Sequence, residues 1–474
     1  MKIEQLFTGC LAEMAYYIES NGEAAIVDPL RETDPYVKMA EKDGAKIKYI
    51  FLTHFHADFV SGQVDLANKT GAKIVFGPNA KTEYDVHVGK DGEEFPLGDI
   101  KIKLLHTPGH TMESSSYLII DEKGNTPYVL TGDCLFIGDV GRPDLAVKSD
   151  LTQADLAGHL YDSLRNKIMP LPDDIIVYPG HGAGSACGKN MSSDTFDTLG
   201  NQKRTNYALR ADMTKDEFIK EVTTGLKTPP QYFPLNVQLN KTGADKTYDE
   251  IVDKGTTPLG AEEFLKLSER KDIMVIDTRS KASYTESGTV PGAWWIGLDG
   301  SFAPWVGALV VDIHQKVIFI VDDEAKAHEA VTRFSRIGFD NTIGYLAGGG
   351  VADWVAHGYP LDKVGSVSAA GFEKKFLNGE VQEALDVRKE SEYVSEHIKD
   401  IENFPLDTIK ENLDKLDPKK EYYVHCASGY RSLIAASIMK AHGIENVVDI
   451  RGGFKDLKET DLPKTEYVCP STLL

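Results

Sequence analysis

The sequence predicts an α/β protein built from three domains, and three observations support this prediction. Its 474 residues suffice for three domains at roughly 150 residues each. Short apolar runs alternate with helical patterns along the first part of the chain. Two stretches of roughly 100 residues in the second half repeat each other, and both alternate strand and helix. A repeat of that order predicts parallel sheets covered by helices in both copies.

The first domain is predicted to span residues 1–240. Apolar runs bounded by turn-forming or polar residues predict its strands at Ala24–Val27, Ile47–Leu52, Ala72–Phe76, Ile100–Leu105, Ser116–Ile120, Tyr128–Leu130 and Ile175–Tyr178. Helical periodicity is found at Pro35–Lys42, Gln63–Thr70 and Leu151–Lys167. Several His and Asp residues directly follow the strand-like runs, where loops on a rigid sheet usually carry chemistry.

A linker is predicted at residues 241–257, because the chain around it is rich in proline and poor in helix or strand periodicity. Two domains are predicted to follow, at residues 258–362 and 365–466. The segments that recur are Ile276–Arg279 with Leu385–Arg388, and Gly348–Gly350 with Gly452–Phe454. The second and third domains are therefore expected to share one fold.

The charge and cysteine content exclude several classes of protein. The chain carries 52 basic and 73 acidic residues, a formal charge of -21 and a pI of about 5.1. A surface that acidic repels phosphate backbones and anionic lipid head groups, so neither nucleic-acid nor membrane partners are expected. Five cysteines are too few for a disulfide framework, and no apolar run reaches the roughly 18 residues of a bilayer span. We therefore expect a cytoplasmic protein.

Four groups of potential metal ligands follow strand-like runs in the first domain. The groups are His54 with His56 and Asp58, then His110, then Asp133, and finally His181. Loops that follow the strands of a rigid sheet usually carry the chemistry of a domain. Mixed imidazole and carboxylate ligands suit zinc or iron better than calcium or magnesium. The sequence therefore predicts a transition-metal site.

These motifs resemble those of the metallo-β-lactamase superfamily. The resemblance implies an αββα sandwich with the metal at one edge. Hydrolases of the superfamily usually carry His-x-His-x-Asp-His, whereas Phe59 stands here in place of the final histidine. Phenylalanine cannot bind a metal, so a second metal site would lose one ligand. The chain more closely resembles the persulfide dioxygenases of the superfamily.

That closer resemblance implies a role for each ligand-type residue. One Fe(II) per chain would be held by His54, His110 and Asp133, with zinc as the alternative metal. Two histidines and one carboxylate leave coordination positions open, as in other non-haem Fe(II) oxygenases. The residues expected to surround and orient these ligands are His56, Asp58 and His181.

The same resemblance points to residues that would bind the substrate. Arg142 and Asp144 match an arginine and an aspartate that the family places shortly after the metal-binding aspartate. Arg204 lies where relatives bind the thiol carrier, although a plain surface role is the alternative. Cys187 is close enough to His181 in sequence to lie near the pocket.

A second reactive motif lies near the C-terminus. An apolar run ends at His425, and Cys426 begins a short loop that opens an apolar helix at Arg431. Loop amides, the amino end of the helix and the guanidinium of Arg431 all stabilise a cysteine thiolate. The Cys-x4-Arg spacing is one residue shorter than that of cysteine phosphatases and suits a single sulfur atom. It resembles the active loop of rhodanese sulfurtransferases, whose cysteine carries sulfane sulfur as a persulfide.

The middle domain lacks this motif. Its equivalent segment, Val321–Lys326, contains two aspartates and a glutamate, and the domain has no cysteine. Carboxylates would repel an anionic sulfur substrate. The domain resembles an inactive rhodanese, for which we expect a role as a spacer or an oligomer surface.

Together the two resemblances imply a persulfide dioxygenase fused to a sulfurtransferase that removes sulfide as thiosulfate. Its small-molecule partners would be thiol persulfides, O2 and sulfite, and family resemblance suggests a homodimer or homotetramer. The thiol carrier stays open between glutathione, coenzyme A, bacillithiol and cysteine. Two alternatives remain: a zinc thioester hydrolase similar to glyoxalase II and fused to a rhodanese, and a non-catalytic persulfide sensor or scaffold.

Overall fold

The computed structural model describes residues 1–147, 151–226 and 228–469. The chain forms two compact units, which are described separately. The first holds Met1–Tyr248 together with Ser335–Gly338, and the second holds Asp249–Phe334 and the chain from Phe339 onward. Both units combine sheets and helices, which confirms the predicted α/β class.

Two six-stranded sheets form the centre of the first unit. In spatial order, the first sheet contains β1 (Lys2–Thr8), β2 (Glu13–Ser20), β3 (Glu23–Val27), β4 (Lys46–Phe51), β5 (Lys73–Phe76) and β6 (His87–Val88). The second contains β12 (Asp197–Thr198), β11 (Ile176–Pro179), β10 (Tyr128–Gly132), β9 (Ser115–Ile120), β8 (Ile100–His106) and β7 (Glu94–Leu97). Strands β8 and β10 both pair antiparallel with β9, so they run in the same direction, and β11 is parallel to β10.

Alternation along β2 decides which side chains enter the space between the sheets. Met14, Tyr16 and Ile18 pack with residues of the second sheet in one buried cluster. Ala15 and Tyr17 point to the other face, where they pack in a separate cluster beneath helices. The two-residue period of the strand thus builds a sandwich with apolar residues on both faces of the first sheet.

Helices cover the outer faces of both sheets, so the layers are those of the predicted αββα sandwich. The first sheet is covered by α1 (Asp34–Lys42) and α2 (Gln63–Thr70), and the second by α3 (Gln153–Ser163), α4 (Leu199–Thr205) and α5 (Lys215–Thr223). A π-helical turn at Leu164–Ile168 continues α3, and a 3-10 turn lies at Tyr207–Leu209. Helices α6 (Phe233–Thr242) and α7 (Tyr248–Gly255) take up most of residues 241–257, where the sequence predicts a linker.

The second unit contains two five-stranded parallel sheets with the same strand order. One sheet contains β13 (Pro258–Leu259), β17 (Thr342–Leu346), β16 (Lys316–Ile320), β14 (Ile273–Asp277) and β15 (Trp294–Trp295). The other contains β18 (Gly365–Ser368), β22 (Val447–Arg451), β21 (Tyr422–His425), β19 (Glu383–Asp386) and β20 (Glu402–Asn403). The identical order confirms that residues of the second half form two copies of one fold.

Short helices connect the strands of both sheets. In chain order they are α8 (Ala261–Ser268), α9 (Lys281–Ser287), α10 (Phe302–Leu309), α11 (Ala325–Arg336), α12 (Val351–Ala356), α13 (Ala369–Leu377), α14 (Glu390–Ser395), α15 (Ile409–Asn412), α16 (Arg431–Ala441) and α17 (Gly453–Leu457), with 3-10 turns at Leu406–Thr408 and Leu413–Lys415. Among the described residues, no helix combines the length and the apolar character that a bilayer span requires.

Helix α16 is buried on all sides from Ser432 to Met439. One side packs on its own sheet, and another packs on β15 of the middle domain, where the Trp295 amide donates to Ser437 Oγ at 2.9 Å. A helix without a polar face is expected where neighbours cover it all round. The apolar character of α16 therefore reflects the packing of the two repeats against each other.

Candidate metal centre and sulfur-transfer loop

The structure brings His54, His110 and Asp133 together in the interior of the first unit. His54 follows β4, His110 lies in the loop after β8, and Asp133 follows β10. Their ligand-type atoms lie within 4.8 Å of one another. The Nε2 atoms of His54 and His110 are 3.8 and 3.5 Å from Asp133 Oδ2, and all three side chains are buried.

Hydrogen bonds on the far side of each imidazole fix its orientation. Thr53 Oγ1 donates to Asp28 Oδ2 at 2.7 Å, so it accepts the proton of His54 Nδ1 at 2.9 Å. The carbonyl oxygen of Arg142 accepts from His110 Nδ1 at 2.9 Å. Both Nε2 atoms are therefore directed at Asp133, and the neutral tautomer that carries its proton on Nδ1 is the one that binds a metal through Nε2.

Asp133 carries the negative charge at the centre of this cluster. Its Oδ1 accepts from His181 Nδ1 at 2.8 Å, whereas its Oδ2 has no hydrogen-bond partner among the described residues. Burial raises the pKa of the Asp133 carboxyl, but the charge of His181 and the hydrogen bond from it outweigh burial and hold the pKa well below its usual range. Burial and the adjacent His56 hold the pKa of His54 well below its usual range, so His54 is neutral.

These residues fit a bound transition metal. A fully buried carboxylate oxygen without a hydrogen-bond partner is costly unless a cation satisfies it. The Nε2 atoms of two imidazoles lie 3.8 and 3.5 Å from the same Asp133 Oδ2. Two histidines and one carboxylate are the donor set of non-haem Fe(II) sites, and zinc accepts the same donors. The donor set leaves coordination positions open for small molecules.

Glycine is required where the chain leaves β10 toward Asp133. Gly132 has φ +52°, a conformation that side chains rarely adopt, and a β-carbon there would stand 2.6 Å from Thr53 Cβ. A larger residue would therefore push Thr53 away from His54, whose orientation depends on it.

His181 links Asp133 to a second carboxylate. Its Nδ1 and Nε2 lie 2.8 Å from Asp133 Oδ1 and 2.8 Å from Asp58 Oδ2. Burial lowers the pKa of His181, but the two carboxylates outweigh burial and raise it well above its usual range. The ligand-type atoms of Asp58, His181 and Cys187 also lie within 4.8 Å of one another. Burial and the charge of Asp58 raise the pKa of the Cys187 thiol well above its usual range, so this cysteine borders the cluster as a protonated thiol.

His56 and Phe59 lie together beside the metal-type cluster. His56 Nε2 is 3.1 Å from Asp28 Oδ1, and the ring of Phe59 stacks on the His56 imidazole with centroids 4.2 Å apart. Phe59 is completely buried. An apolar ring thus occupies the position after Asp58 at which the hydrolase motif carries a histidine.

Asn240 holds the loop that carries these residues, and no motif in the sequence singles it out. This asparagine lies on α6 and is buried. Its amide nitrogen donates to the carbonyls of His56 and Phe59, both at 2.8 Å, and its Oδ1 accepts from the Ser61 amide at 2.8 Å. Three hydrogen bonds from one side chain therefore fix the backbone between His56 and Ser61.

The three residues predicted to bind substrate have different surroundings. Arg142 is buried, and its guanidinium donates to both carboxylate oxygens of Asp144, at 2.6 and 2.7 Å. Arg142 also supports His110 through its backbone carbonyl, as described above. Arg204 is exposed near the end of α4 and donates to Asn201 Oδ1 at 3.2 Å. A role in substrate binding stays a prediction for all three.

Cys426 lies in the second unit, between β21 and α16, and is buried. The amide of Gly429 donates to Cys426 Sγ at 3.1 Å, and Gly429 has φ +94°, a conformation that favours glycine. The Phe454 amide donates to the carbonyl of Cys426 at 2.7 Å, so the start of α17 fixes the loop. An amide aimed at the sulfur stabilises a thiolate.

Arg431 is engaged by a carboxylate in this loop. Its guanidinium donates to both oxygens of Glu392 at 2.6 and 2.9 Å. Burial lowers the pKa of Arg431, but Glu392 and the charge of Cys426 outweigh it and raise the pKa. Glu392 therefore balances the charge of Arg431 beside this loop.

The Asp-x-Arg motif that recurs in both repeats forms a buried ion pair in each. Arg279 and Arg388 bind Asp277 and Asp386 with Nη2 to Oδ2 distances of 2.6 Å. In the middle domain Asp322, which follows β16, accepts from the amide of Ser280 at 2.7 Å at the start of α9. The carboxylate of Asp322 thus serves local structure.

Two families are recognised in the sequence. The metallo-beta-lactamase superfamily matches residues 8–181. The rhodanese-like domain matches residues 260–357 and again residues 368–460. The matches account for the sandwich of the first unit and for both parallel sheets of the second.

Individual proteins are similar to parts of the chain. A probable hydroxyacylglutathione hydrolase of Schizosaccharomyces pombe is 31% identical over 198 residues, which are 41% of this chain and 72% of that protein. The mitochondrial persulfide dioxygenase of Homo sapiens is 27% identical over 243 residues, which are 50% of this chain and 87% of that protein. The crystal structure of a metallo-beta-lactamase from Staphylococcus aureus subsp. aureus COL gives a TM-score of 0.62 at 30% identity, covering 73% of this chain and 98% of that one. The chain belongs to the metallo-beta-lactamase superfamily, and two rhodanese-like domains follow its metallo-beta-lactamase domain.

Proposed function

We propose that the protein is an Fe(II)-dependent persulfide dioxygenase coupled to a sulfurtransferase. In the first reaction a thiol persulfide, O2 and water give the thiol, sulfite and two protons. In the second, sulfane sulfur from another persulfide passes through Cys426 to sulfite and leaves as thiosulfate. The observation that carries the proposal is the buried set of His54, His110 and Asp133, with Asp133 Oδ2 lacking a hydrogen-bond partner among the described residues, in one chain with the Cys426 loop.

The residues of the first unit support the oxidation by orienting the ligands and excluding water. Fe(II) held there would supply the redox chemistry that lets O2 react with a sulfur anion, which zinc does not. Thr53 and the carbonyl of Arg142 hold the two imidazoles, and His181 holds the carboxylate. The Phe59 ring keeps the adjoining space apolar.

Cys426 would act by covalent catalysis in the second unit. Its thiolate attacks the terminal sulfur of a thiol persulfide, a new S–S bond forms, and the thiol leaves with the proton. Sulfite then attacks the terminal sulfur on Cys426, and thiosulfate leaves as the Cys426 thiolate is restored. The amide of Gly429, directed at Sγ, stabilises the thiolate that begins and ends this cycle.

A metal-dependent thioester hydrolase is the second candidate, favoured by the similarity to hydroxyacylglutathione hydrolase. The structure provides fewer free ligands for a second metal ion than the His-x-His-x-Asp-His motif of the hydrolases does. Phe59 supplies a ring instead of a ligand, and both nitrogens of His181 already lie 2.8 Å from carboxylates. These observations favour a single metal ion.

Oxygen consumption tests the proposal directly. The full chain would be prepared without oxygen, loaded with Fe(II), and supplied with glutathione persulfide or coenzyme A persulfide, with iron and zinc measured by elemental analysis. We expect oxygen uptake that depends on iron and produces thiosulfate. Hydrolysis of a glutathione thioester without oxygen uptake would overturn the proposal in favour of the hydrolase.

Two variants separate the reactions. Asp133→Asn should lose both iron and oxygen uptake. Cys426→Ser should keep oxygen uptake and accumulate sulfite instead of thiosulfate, whereas Cys469→Ser, a matched change at an exposed cysteine, should behave as the parent chain. Thiosulfate formation by Cys426→Ser would contradict the transfer role of Cys426.

A further inference from the structure

The middle domain contacts the Cys426 loop directly, within the second unit. Tyr430, the last loop residue before α16, donates its hydroxyl to the carbonyl of Gly297 at 2.8 Å. Its ring meets Trp295 edge-on at 5.2 Å between centroids. Gly300 has no side chain where a β-carbon would collide with the Tyr430 ring. The middle domain therefore forms a fitted pocket for one residue of the loop in the neighbouring domain.

Lys281 of the middle domain reaches the same loop. It is the first residue of α9 and is half-buried. A β-carbon on Gly429 would stand 2.5 Å from Lys281 Nζ, so the ammonium lies against the loop backbone. The amide of this same Gly429 donates to Cys426 Sγ at 3.1 Å. One glycine thus separates the lysine ammonium from the hydrogen bond to the sulfur.

The charge of Lys281 is available for an anion. Within the described parts of the chain, no carboxylate lies within ion-pair distance of Lys281, although the chain carries a formal charge of -21. The carboxylate of Asp449 is near enough to interact with the charge of Lys281, but this carboxylate is buried and accepts a hydrogen bond from Ser432 Oγ at 2.6 Å. Arg431, the other cation of the loop, is held by Glu392. Lys281 is therefore a cation at this loop that no carboxylate of the described residues pairs with.

We propose that Lys281 is an anion-binding residue of the sulfur-transfer site, contributed by the domain that lacks the cysteine. It would bind sulfur oxyanions such as sulfite and thiosulfate as they approach or leave the sulfur of Cys426. The inference rests on the proposed sulfurtransferase activity of Cys426. It gives the middle domain a chemical role, because this domain holds the Tyr430 side chain and places the Lys281 ammonium beside Gly429.

Steady-state sulfur transfer from thiosulfate to cyanide by the full chain tests this role. Lys281→Ala should raise the KM for thiosulfate by about tenfold or more and leave kcat nearly unchanged, because a charge-assisted contact to the substrate is lost. The salt dependence of KM should weaken in the same variant. Lys281→Arg should restore most of the affinity. Lys316→Ala is the matched control, since Lys316 begins β16 and pairs with Asp272 at 2.9 Å.

The outcomes distinguish this inference from the proposed function. A parent chain that transfers sulfur, together with an unchanged KM in Lys281→Ala, would overturn the role of Lys281 and leave the sulfurtransferase standing. A parent chain that neither transfers sulfur nor forms a persulfide on Cys426 would overturn both. An equal loss of affinity in Lys316→Ala would show a general charge effect and would also overturn the inference. Intact folding of each variant is checked by the fluorescence of the four tryptophans, all of which lie in the middle domain.

Discussion

Replacement of Asn240 by alanine should loosen the loop that carries His54 and His56. The side chain makes three hydrogen bonds of 2.8 Å to the backbone of His56, Phe59 and Ser61, and it is buried. Alanine would leave two carbonyls and one amide without these partners. Each buried group left unpaired costs about 1–3 kcal/mol. Water entering the vacated volume would offset part of the sum, so we expect local opening to become easier by about 3 kcal/mol.

Hydrogen–deuterium exchange of the full chain measures this effect where it arises. A change of about 3 kcal/mol corresponds to roughly a hundredfold faster exchange of the protected amides in residues 53–62. The amide of Ser61 should be most affected, because Asn240 Oδ1 is its acceptor. Retention of the bound metal after dialysis against a chelator should fall in parallel, since this loop carries the predicted ligand His54.

Gln238→Ala provides a matched control, because Gln238 is an exposed amide residue on the same helix. Exposed substitutions of this kind usually change stability by less than about 0.5 kcal/mol. Asn240→Asp adds a second test, since it keeps an acceptor for Ser61 and turns the donor toward His56 and Phe59 into an acceptor. Less than a threefold (about 0.6 kcal/mol) change in exchange for Asn240→Ala would refute the reasoning.

Two further predictions concern the second unit, and tryptophan fluorescence during urea unfolding reports on both, since all four tryptophans belong to it. Tyr430→Phe removes the hydrogen bond to Gly297 and keeps the ring, so the free energy of unfolding should fall by about 1 kcal/mol. Tyr430→Ala also empties the pocket, so the free energy of unfolding should fall by about 3–5 kcal/mol. Equal losses in the two variants would argue against the fitted pocket. Burial raises the pKa of Asp449 to about 6 despite the hydrogen bond from Ser432. A carboxyl with a raised pKa is favoured protonated in the folded state, so the contribution of Asp449 to stability should be complete below about pH 4 and should fall by roughly 2–3 kcal/mol as pH rises to about 6. Asp449→Asn should remove that slope between pH 4 and pH 6, and an unchanged slope would show that other groups cause it.

Local pattern was enough to predict most of the architecture. Apolar runs ended by turn residues marked strands such as β3, β4 and β10, and the repeat of Ile276–Arg279 as Leu385–Arg388 marked the paired domains. Strand β2 was not predicted, because both of its faces are buried and its apolar residues do not alternate with polar ones. Helix α6 was not predicted either, since it has only weak apolar periodicity and prolines surround it.

The residue types of the candidate sites could be predicted for a related reason. Asp133 and Cys426 come directly after β10 and β21, and His54 and His110 lie in the loops that follow β4 and β8, where loops on a rigid sheet usually carry chemistry. The chemistry of imidazole, carboxylate and thiolate then limits what those positions can do. Residue type and position after a strand can both be read from a short segment of the sequence.

Only the tertiary structure decided which polar side chains support these sites and which are already engaged. Asn240 reaches His56 across 184 positions of the chain. Arg142 is bound by Asp144 and Arg431 by Glu392, so their charges are partly balanced before any substrate arrives. Lys281 meets the Cys426 loop from another domain. The physical reason is that periodicity records how a segment faces its own sheet or helix, whereas hydrogen bonds and charges act through space between residues whose proximity exists only after the layers have packed.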